Sequence, residues 1–140
     1  MQNTIAQTEK EIVEEFGLFD DPMDRYEYII DIGKKLPALD AQYMTDDFLV
    51  KGCQSKVWLH AYEKDGRIFY EADSNTAITK GIVALLVRVL SGQSAKDIVD
   101  AQLSFIDKIH LRAHLSSQRS NGLTAMIQKM KAYASAFSGQ

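Results

Sequence analysis

The first third of the chain begins with hydrophobic residues that recur at helical spacing. This stretch opens on a possible capping box, Thr4 with Gln7, and ends at Gly17. Its apolar stripe consists of Ile5, Ile12, Val13 and Phe16. The pattern predicts an amphipathic N-terminal helix with one face in the core.

A second helix is predicted to start at Pro22, because Asp21 supplies an N-cap directly before a proline at the first helical position. Its buried stripe is predicted to comprise Met23, Tyr26, Ile29 and Ile30. Pro37 bounds this helix. No strong period follows over residues 36–47, so we expect a connector that leads into a short strand at Phe48–Val50.

The centre of the chain alternates hydrophobic and polar residues and predicts a β-hairpin. Asp65-Gly66 is a two-residue turn signal between strands at Lys56–Lys64 and Arg67–Asp73. The turn sets the pairs Lys64 with Arg67, Tyr62 with Phe69, His60 with Glu71 and Trp58 with Asp73. The predicted core face carries Val57, Leu59, Ala61, Ile68, Tyr70 and Ala72. This register brings the end of the second strand close to the turn that holds Cys53.

The second half of the chain is predominantly helical in pattern. The most apolar segment, Ile82–Leu90, predicts a buried helix despite its β-branched residues. Ser94 and Asp97 form a second capping box that opens a short helix, and a further helical segment is predicted at Leu103–Ile109. A long last helix with Ser116 as N-cap is predicted from a stripe of Leu123, Met126, Ile127, Met130, Tyr133 and Phe137.

Length and composition agree with one folded unit. The 140 residues are 46% hydrophobic and 25% charged, which is ordinary for a globular protein and sufficient for a real core. We therefore predict a single α+β domain over residues 1–140. In it, a small antiparallel sheet of about three strands packs with N- and C-terminal helices, and Cys53 lies on a turn at one edge.

The charge balance narrows the possible partners. The chain has sixteen Lys and Arg residues and nineteen Asp and Glu residues and is therefore mildly acidic. Broad electrostatic binding to nucleic acid is not expected. The first residues lack the basic-then-apolar order of a signal peptide, and Ile82–Leu90 is too short to span a bilayer. We therefore expect no membrane partner and a reducing, cytoplasmic compartment, in which a free thiol survives.

Cys53 is the only cysteine, and its surroundings suggest a working thiol. Gly52 precedes it and permits backbone conformations closed to other residues, while Gln54 and Ser55 offer hydrogen bonds that a packing cysteine does not need. Counting cysteines leaves a functional thiol and a merely tolerated one equally open. The apolar segment Phe48–Val50 and Val57, on either side of the turn, motivate the hypothesis that the resting thiol is shielded from solvent.

Other combinations of residues could suggest different chemistry. His110 and His114 stand four apart and, with Cys53, have the types needed for a zinc site. The alternative, which we favour, is that these two histidines flank a helix break and that His60 pairs across strands with Glu71, so no metal is expected. A Cys-His-Asp hydrolase is formally possible, but no nucleophile-elbow or papain-like sequence surrounds the cysteine.

Aromatic residues offer a second open choice. They could form an exposed interaction patch, but residues of this type at such spacing are more often core, which is the interpretation that we favour. The residues concerned are Tyr43, Trp58, Tyr62 and Phe69.

Three motifs stand in order along the chain. The first two are Gly52-Cys53-Gln54-Ser55-Lys56-Val57-Trp58 and Asp73-Ser74 ahead of Lys80-Gly81. The third is His114-Leu115-Ser116-Ser117-Gln118-Arg119-Ser120-Asn121-Gly122-Leu123-Thr124-Ala125-Met126. Together they strongly resemble the SufE family, the sulfur-acceptor proteins of iron–sulfur cluster assembly. The family usually has proline where this chain has Ser117, a change that weakens a helix cap and leaves the chemistry intact.

The resemblance implies a sulfur relay. A SufS-type cysteine desulfurase, which contains pyridoxal phosphate, passes persulfide sulfur to Cys53. Accepting this sulfur empties the desulfurase and so stimulates it, and the loaded protein then delivers the sulfur to a SufBCD-type scaffold. This role makes the protein a partner and activator rather than a stand-alone enzyme, with no cofactor of its own. In the related scaffolds SufU and IscU three cysteines hold zinc or a nascent cluster, a task that one cysteine cannot perform. The alternative is an adaptor that regulates a desulfurase without carrying sulfur.

The resemblance also suggests roles for residues around the thiol. Arg119, in the first turn of the last helix, is a candidate for favouring an anionic sulfur or for the desulfurase interface. The alternative is a surface arginine, or a partner of Asp73. Asp73 is a candidate interface or positioning residue and could equally be a plain helix cap. The turn itself is expected to be shaped by Gly52, Gln54 and Ser55. Monomer and homodimer both stay open.

Overall fold

The computed structural model describes residues 3–115 and 117–138, apart from the side chains of residues 114, 117–119 and 138. Its helices are α1 Ile5–Phe16, α2 Pro22–Lys34, α3 Ala77–Leu90, α4 Ala95–Asp100, α5 Phe105–Lys108 and α6 Ser117–Ser138. Its strands are β1 Val57–Lys64 and β2 Arg67–Ser74. The predicted α+β class is confirmed, with a small antiparallel sheet among helices.

The first two helices begin as predicted. Both bonds of the capping box at Thr4 and Gln7 are formed, and the Asp21 carboxylate accepts a hydrogen bond from the Met23 amide at 2.8 Å. The prediction that Met23 is buried is wrong, since 62% of it is exposed. The second half of α2, around Ile29, packs against α3, and the first turn lies beyond that contact.

The hairpin has the predicted register. The turn residues Asp65 and Gly66 both have positive φ, and Lys64 pairs with Arg67 directly beside the turn. All residues of the predicted core face are buried, namely Val57, Leu59, Ala61, Ile68, Tyr70 and Ala72. Because the register holds along the strands, Trp58 lies opposite Asp73 at the end near the Cys53 turn.

The predicted third strand at Phe48–Val50 is wrong, and among the described residues the sheet has two strands. The amides of Phe48 and Leu49 bond back to Thr45 and Asp46 in a 3-10 turn, which withdraws them from strand pairing. Only the amide of Val50 reaches β1, at 2.8 Å from the carbonyl oxygen of Val57. Leu49 contributes an isolated bridge to Trp58.

Helix α3 is the buried centre of the fold. It begins five residues before the predicted apolar segment and packs against both α2 and β2. Its contact with α2 requires glycine, because a Cβ on Gly81 would lie 2.0 Å from the carbonyl oxygen of Ile29. A Cβ on Gly33, across the same contact, would lie 2.6 Å from the Gly81 nitrogen. Two glycines therefore allow the backbones of α2 and α3 to approach each other directly.

The later helices occur in the predicted order, but α5 is shorter than predicted. The predicted helix at Leu103–Ile109 is reduced to α5, because Leu103 and His110 adopt left-handed φ values of 53° and 57° on either side of it. The predicted N-cap of α6, Ser116, lies outside the described residues. Helix α6 is fastened to the hairpin where the Tyr70 hydroxyl donates to the Met130 carbonyl at 2.6 Å. Within the described ranges, no helix combines the length and hydropathy needed to cross a bilayer.

Candidate functional site

The Cys53 thiol lies on the turn between the 3-10 segment and β1, facing α6. Its Sγ donates a weak hydrogen bond to the Gly122 carbonyl oxygen, 3.5 Å away, and the side chain is half-buried. Gly52 has φ +94°, a conformation that strains other residues. The glycine before the cysteine therefore allows the turn that presents the thiol to the helix.

Gly122 gives the thiol its place against α6. A Cβ at this position would lie 3.4 Å from the Cys53 Sγ and 3.5 Å from its Cα. These are ordinary van der Waals distances, so the turn packs directly on this part of α6 and the space alone does not require glycine. Gly122 belongs to the motif that runs from His114 to Met126, yet nothing in the sequence indicated that it contacts the sulfur.

A small cavity of about 10 Å³ lies beside the sulfur, on the inner side of the turn. It is lined by Cys53, Gln54, Ser55, Thr79, Ile82, Gly122 and Met126. On its outer side the turn borders an open groove of about 520 Å³, which runs along residues 49–56. The thiol therefore stands between a small inner cavity and an open groove on the surface.

Hydroxyl groups of α3 and its N-cap hold the far side of the turn. The Ser55 Oγ accepts hydrogen bonds from the Thr76 hydroxyl at 3.0 Å and from the Thr79 hydroxyl at 3.4 Å. Thr79 is only 5% exposed and also lines the cavity. The sequence indicated Ser55 as a turn residue but gave no sign that Thr79, 24 positions later, would meet it.

Asp73 lies at the end of β2 and is engaged locally. One of its carboxylate oxygens is 3.3 Å from the Lys80 ammonium and accepts from the Ser74 amide at 2.8 Å. Arg119 is the third residue of α6, three positions before Gly122, and its side chain lies outside the described residues. Gln54 is exposed at the rim of the cavity. Roles for Asp73, Arg119 and Gln54 in binding a partner stay predictions.

The predicted break between the two later histidines is present. Helix α5 ends at Lys108 and a 3-10 turn spans Leu111–His114, so the two later histidines do not share one continuous α-helix. Across the described part of the chain, no group of three or more His, Cys, Asp or Glu side chains is placed to hold a metal. His60 makes the predicted cross-strand pair, with its Nδ1 3.0 Å from Glu71 Oε1.

Trp58, Tyr62 and Phe69 lie on the outer face of the hairpin, and Tyr43 packs onto that face from a 3-10 turn at Ala41–Tyr43. None of the four is buried, so their interpretation as core is wrong. Tyr43 stacks on His60 with ring centroids 3.7 Å apart, and Tyr62 stacks on Phe69 at 5.4 Å. Tyr62 is 40% exposed, and Trp58 is partly exposed. Helix α3 packs on β2, whereas these aromatic residues lie on the outer surface of the sheet.

The environment of Cys53 disfavours its charged form. Burial raises the pKa of the thiol above its ordinary value of 9.0. The neighbouring Gly122 carbonyl accepts from the protonated form and offers nothing to a thiolate. In the closed turn the sulfur is therefore a thiol at neutral pH. Because the folded-state pKa is raised, this group stabilises the fold below its unfolded pKa, and that contribution is lost as pH rises through the folded value.

We expect alkylation of Cys53 in the free protein to be slow and steeply dependent on pH. The thiolate is the reactive form, so the rate should rise about tenfold per pH unit from about pH 6 to about pH 9, without a plateau. Mass spectrometry of iodoacetamide-treated protein measures the rate, and the same chain in urea is the matched control. A plateau below about pH 8, or a rate equal to that of a small-molecule thiol, would contradict the raised pKa and the shielding.

Comparison with known proteins supplies the family. The model of the SufE family, described as the Fe-S metabolism associated domain, matches residues 10–134. An uncharacterized SufE-like protein of Rhizobium meliloti strain 1021 is 38% identical over 130 residues, which cover 89% of this chain and 92% of the relative. SufE-like protein 1, chloroplastic/mitochondrial, of Arabidopsis thaliana is also 38% identical, over 87% of this chain and 33% of that longer protein.

A solved structure shares the fold. The solution structure of a hypothetical protein from Thermus thermophilus aligns with a TM-score of 0.78 over 95% of this chain and 97% of the other. The two sequences are 18% identical, so this likeness concerns the fold alone. With the family model matching residues 10–134, the chain belongs to the SufE family and has a sulfur-related role in iron–sulfur metabolism.

Proposed function

We propose that Cys53 is a sulfur carrier, which accepts persulfide sulfur from a SufS-type cysteine desulfurase and passes it to a SufBCD-type scaffold in the cytoplasm. The observation that carries the proposal is the position of the sole cysteine. In a chain of the SufE family, this thiol is held on a glycine-dependent turn between a small inner cavity and an open groove. A cysteine that served only packing would have no need of a surface turn.

The transfer step exchanges one sulfur–sulfur bond for another. The Cys53 thiolate attacks the outer sulfur of the donor cysteine persulfide, and a new S–S bond forms at Cys53 as the donor's S–S bond breaks. The donor sulfur leaves with the electron pair and takes up the proton that Cys53 gave up. The exchange needs no external oxidant or reductant. Delivery to the scaffold repeats the same exchange with Cys53 as the donor.

The raised pKa places a requirement on the partner. An attacking thiol works best with a pKa near ambient pH, whereas burial keeps Cys53 protonated in the closed turn. We infer that docking of the desulfurase moves the turn out of this environment and so activates the sulfur. Arg119, in the first turn of α6, is our candidate for stabilising the anionic sulfur or for contacting the desulfurase.

Shielding and transfer then alternate in one cycle. With the turn closed, α6 and α3 cover one side of the half-buried sulfur and limit its contact with small thiols and oxidants in solution. With the turn open, the outer groove lets a partner cysteine approach. We propose that Gly52, Gln54 and Ser55 shape the turn through this movement, and that Asp73 positions its base through the Lys80 pair.

The test is intact-mass analysis after the protein is mixed with a SufS-type desulfurase, pyridoxal phosphate and free cysteine, without reductant. We expect a gain of roughly one sulfur mass that a reductant removes, and digestion should place the added sulfur on the peptide with Cys53. Omitting the desulfurase is the control for mass added to the protein by free cysteine or pyridoxal phosphate without the enzyme. Absence of any gain, with an active desulfurase, would refute the proposal.

A further inference from the structure

Residues 51–55 form a short flap whose two ends are firmly held. At one end, the Val50 amide donates to the Val57 carbonyl at 2.8 Å. At the other, the Lys56 amide donates to the Asn75 side chain at 3.0 Å. Between these anchors, the described hydrogen bonds that fasten the flap to the helices run through the side chains of Cys53 and Ser55.

The Ser55 contact is the stronger of the two fastenings. The bond from the Cys53 Sγ to Gly122 is 3.5 Å long, and a thiol is a weak donor. Ser55 instead receives two hydroxyl hydrogen bonds, from Thr76 at 3.0 Å and Thr79 at 3.4 Å. The flap is therefore held closed chiefly at its serine.

At the start of α3, threonine hydroxyls bond to Ser55, and the N-cap position makes no side-chain capping bond. Thr76 is the N-cap residue of α3, yet its side chain caps no amide of the helix and donates to Ser55 instead. Thr79 occupies the third helical position, where its hydroxyl also turns to Ser55. An N-cap threonine ordinarily bonds to the amide at the second or third position. Both hydroxyls are thus used on the flap rather than on the helix.

We propose that Thr79, through Ser55, is a positioning residue that latches the flap closed over the thiol. Its hydroxyl is buried, and opening the flap breaks its bond to Ser55. Thr76 donates a second, shorter hydrogen bond to the same Ser55 oxygen. These hydrogen bonds determine how often the flap opens and Cys53 becomes accessible. Only their consequence for sulfur transfer rests on the proposed function.

The experiment compares iodoacetamide alkylation of Cys53 at a fixed pH in four proteins: wild type, Thr79→Val, Thr79→Ser and Ser55→Ala. Valine keeps the β-branched shape and removes the hydroxyl, so we expect alkylation about twofold faster, the lower end of what one hydrogen bond contributes, because this bond is long at 3.4 Å. Ser55→Ala should give a larger increase because it removes both bonds. Thr79→Ser keeps the hydroxyl and should stay near the wild-type rate.

Thr8→Val is the matched control, because Thr8 is also a buried helical threonine, 6% exposed, on α1. Equal rates for Thr79→Val and wild type would overturn the latch. So would an equal acceleration by Thr8→Val, because a general loosening would then explain the effect. The desulfurase assay is read separately: faster alkylation with no sulfur uptake by any protein supports the latch and refutes the sulfur-carrier proposal.

Discussion

Replacing Cys53 with serine is expected to abolish the stimulation of a SufS-type desulfurase by this protein. In a sulfur relay the stimulation arises because the acceptor empties the desulfurase persulfide, and this requires a thiol. Serine has nearly the same shape and leaves the Gly122 contact sterically intact. Cysteine turnover in the presence of the variant should therefore fall to the rate of the desulfurase alone.

The same variant separates the relay from the adaptor, which would regulate the desulfurase by binding alone. Sedimentation or calorimetry with the desulfurase shows whether the variant still binds, and Cys53→Ala tests whether the serine hydroxyl itself has an effect. Binding without stimulation supports the relay. Stimulation by both variants at the wild-type level would establish the adaptor instead.

The substitution Gly81→Ala is expected to destabilise the whole fold. The new Cβ would lie 2.0 Å from the carbonyl oxygen of Ile29, and neither backbone can yield without separating α2 from α3. Separation uncovers buried side chains on both helices. We expect a loss of about 3 kcal/mol or more in the free energy of unfolding and a melting temperature roughly 10 °C lower. Urea denaturation followed by circular dichroism measures the free energy, and a thermal scan measures the melting temperature.

Gly17→Ala is the control for replacing a glycine as such. Gly17 follows α1 with φ −65°, which alanine adopts easily, and its Cβ would be 3.3 Å from the nearest atom. Its effect should stay within about 1 kcal/mol. If Gly81→Ala denatured at the same urea concentration as Gly17→Ala, the close approach of α2 and α3 would be wrong.

The sequence predicted best those elements that local interactions decide. The hairpin follows from Asp65-Gly66, because few other dipeptides accept positive φ at both turn positions, and the turn then fixes every pair along the strands. The strand predicted at Phe48–Val50 failed for a local reason as well. Its amides have a closer partner in the preceding residues, and a hydrophobic triplet does not reveal that competition.

The candidate site was only half visible in the sequence. Cys53 and its glycine stand together and indicate a turn, whereas the groups that receive the turn come from distant positions. Gly122 contacts the thiol across 69 residues and Thr79 contacts Ser55 across 24. Neither has a local pattern that distinguishes it from a helix glycine or a cap threonine. The packing of α3 and α6 onto the hairpin determines these contacts.

The 69-residue separation between Cys53 and Gly122 also orders events during synthesis. The hairpin and α3 are complete once residue 90 has emerged from the ribosome, but the wall that α6 provides is not yet made. Chains grow by about 5 to 20 residues per second, so the thiol spends seconds next to a partly built fold. In that interval, the thiol is protected from oxidants only by the reducing power of the compartment. When α6 docks, its contact with Cys53 begins to protect the thiol.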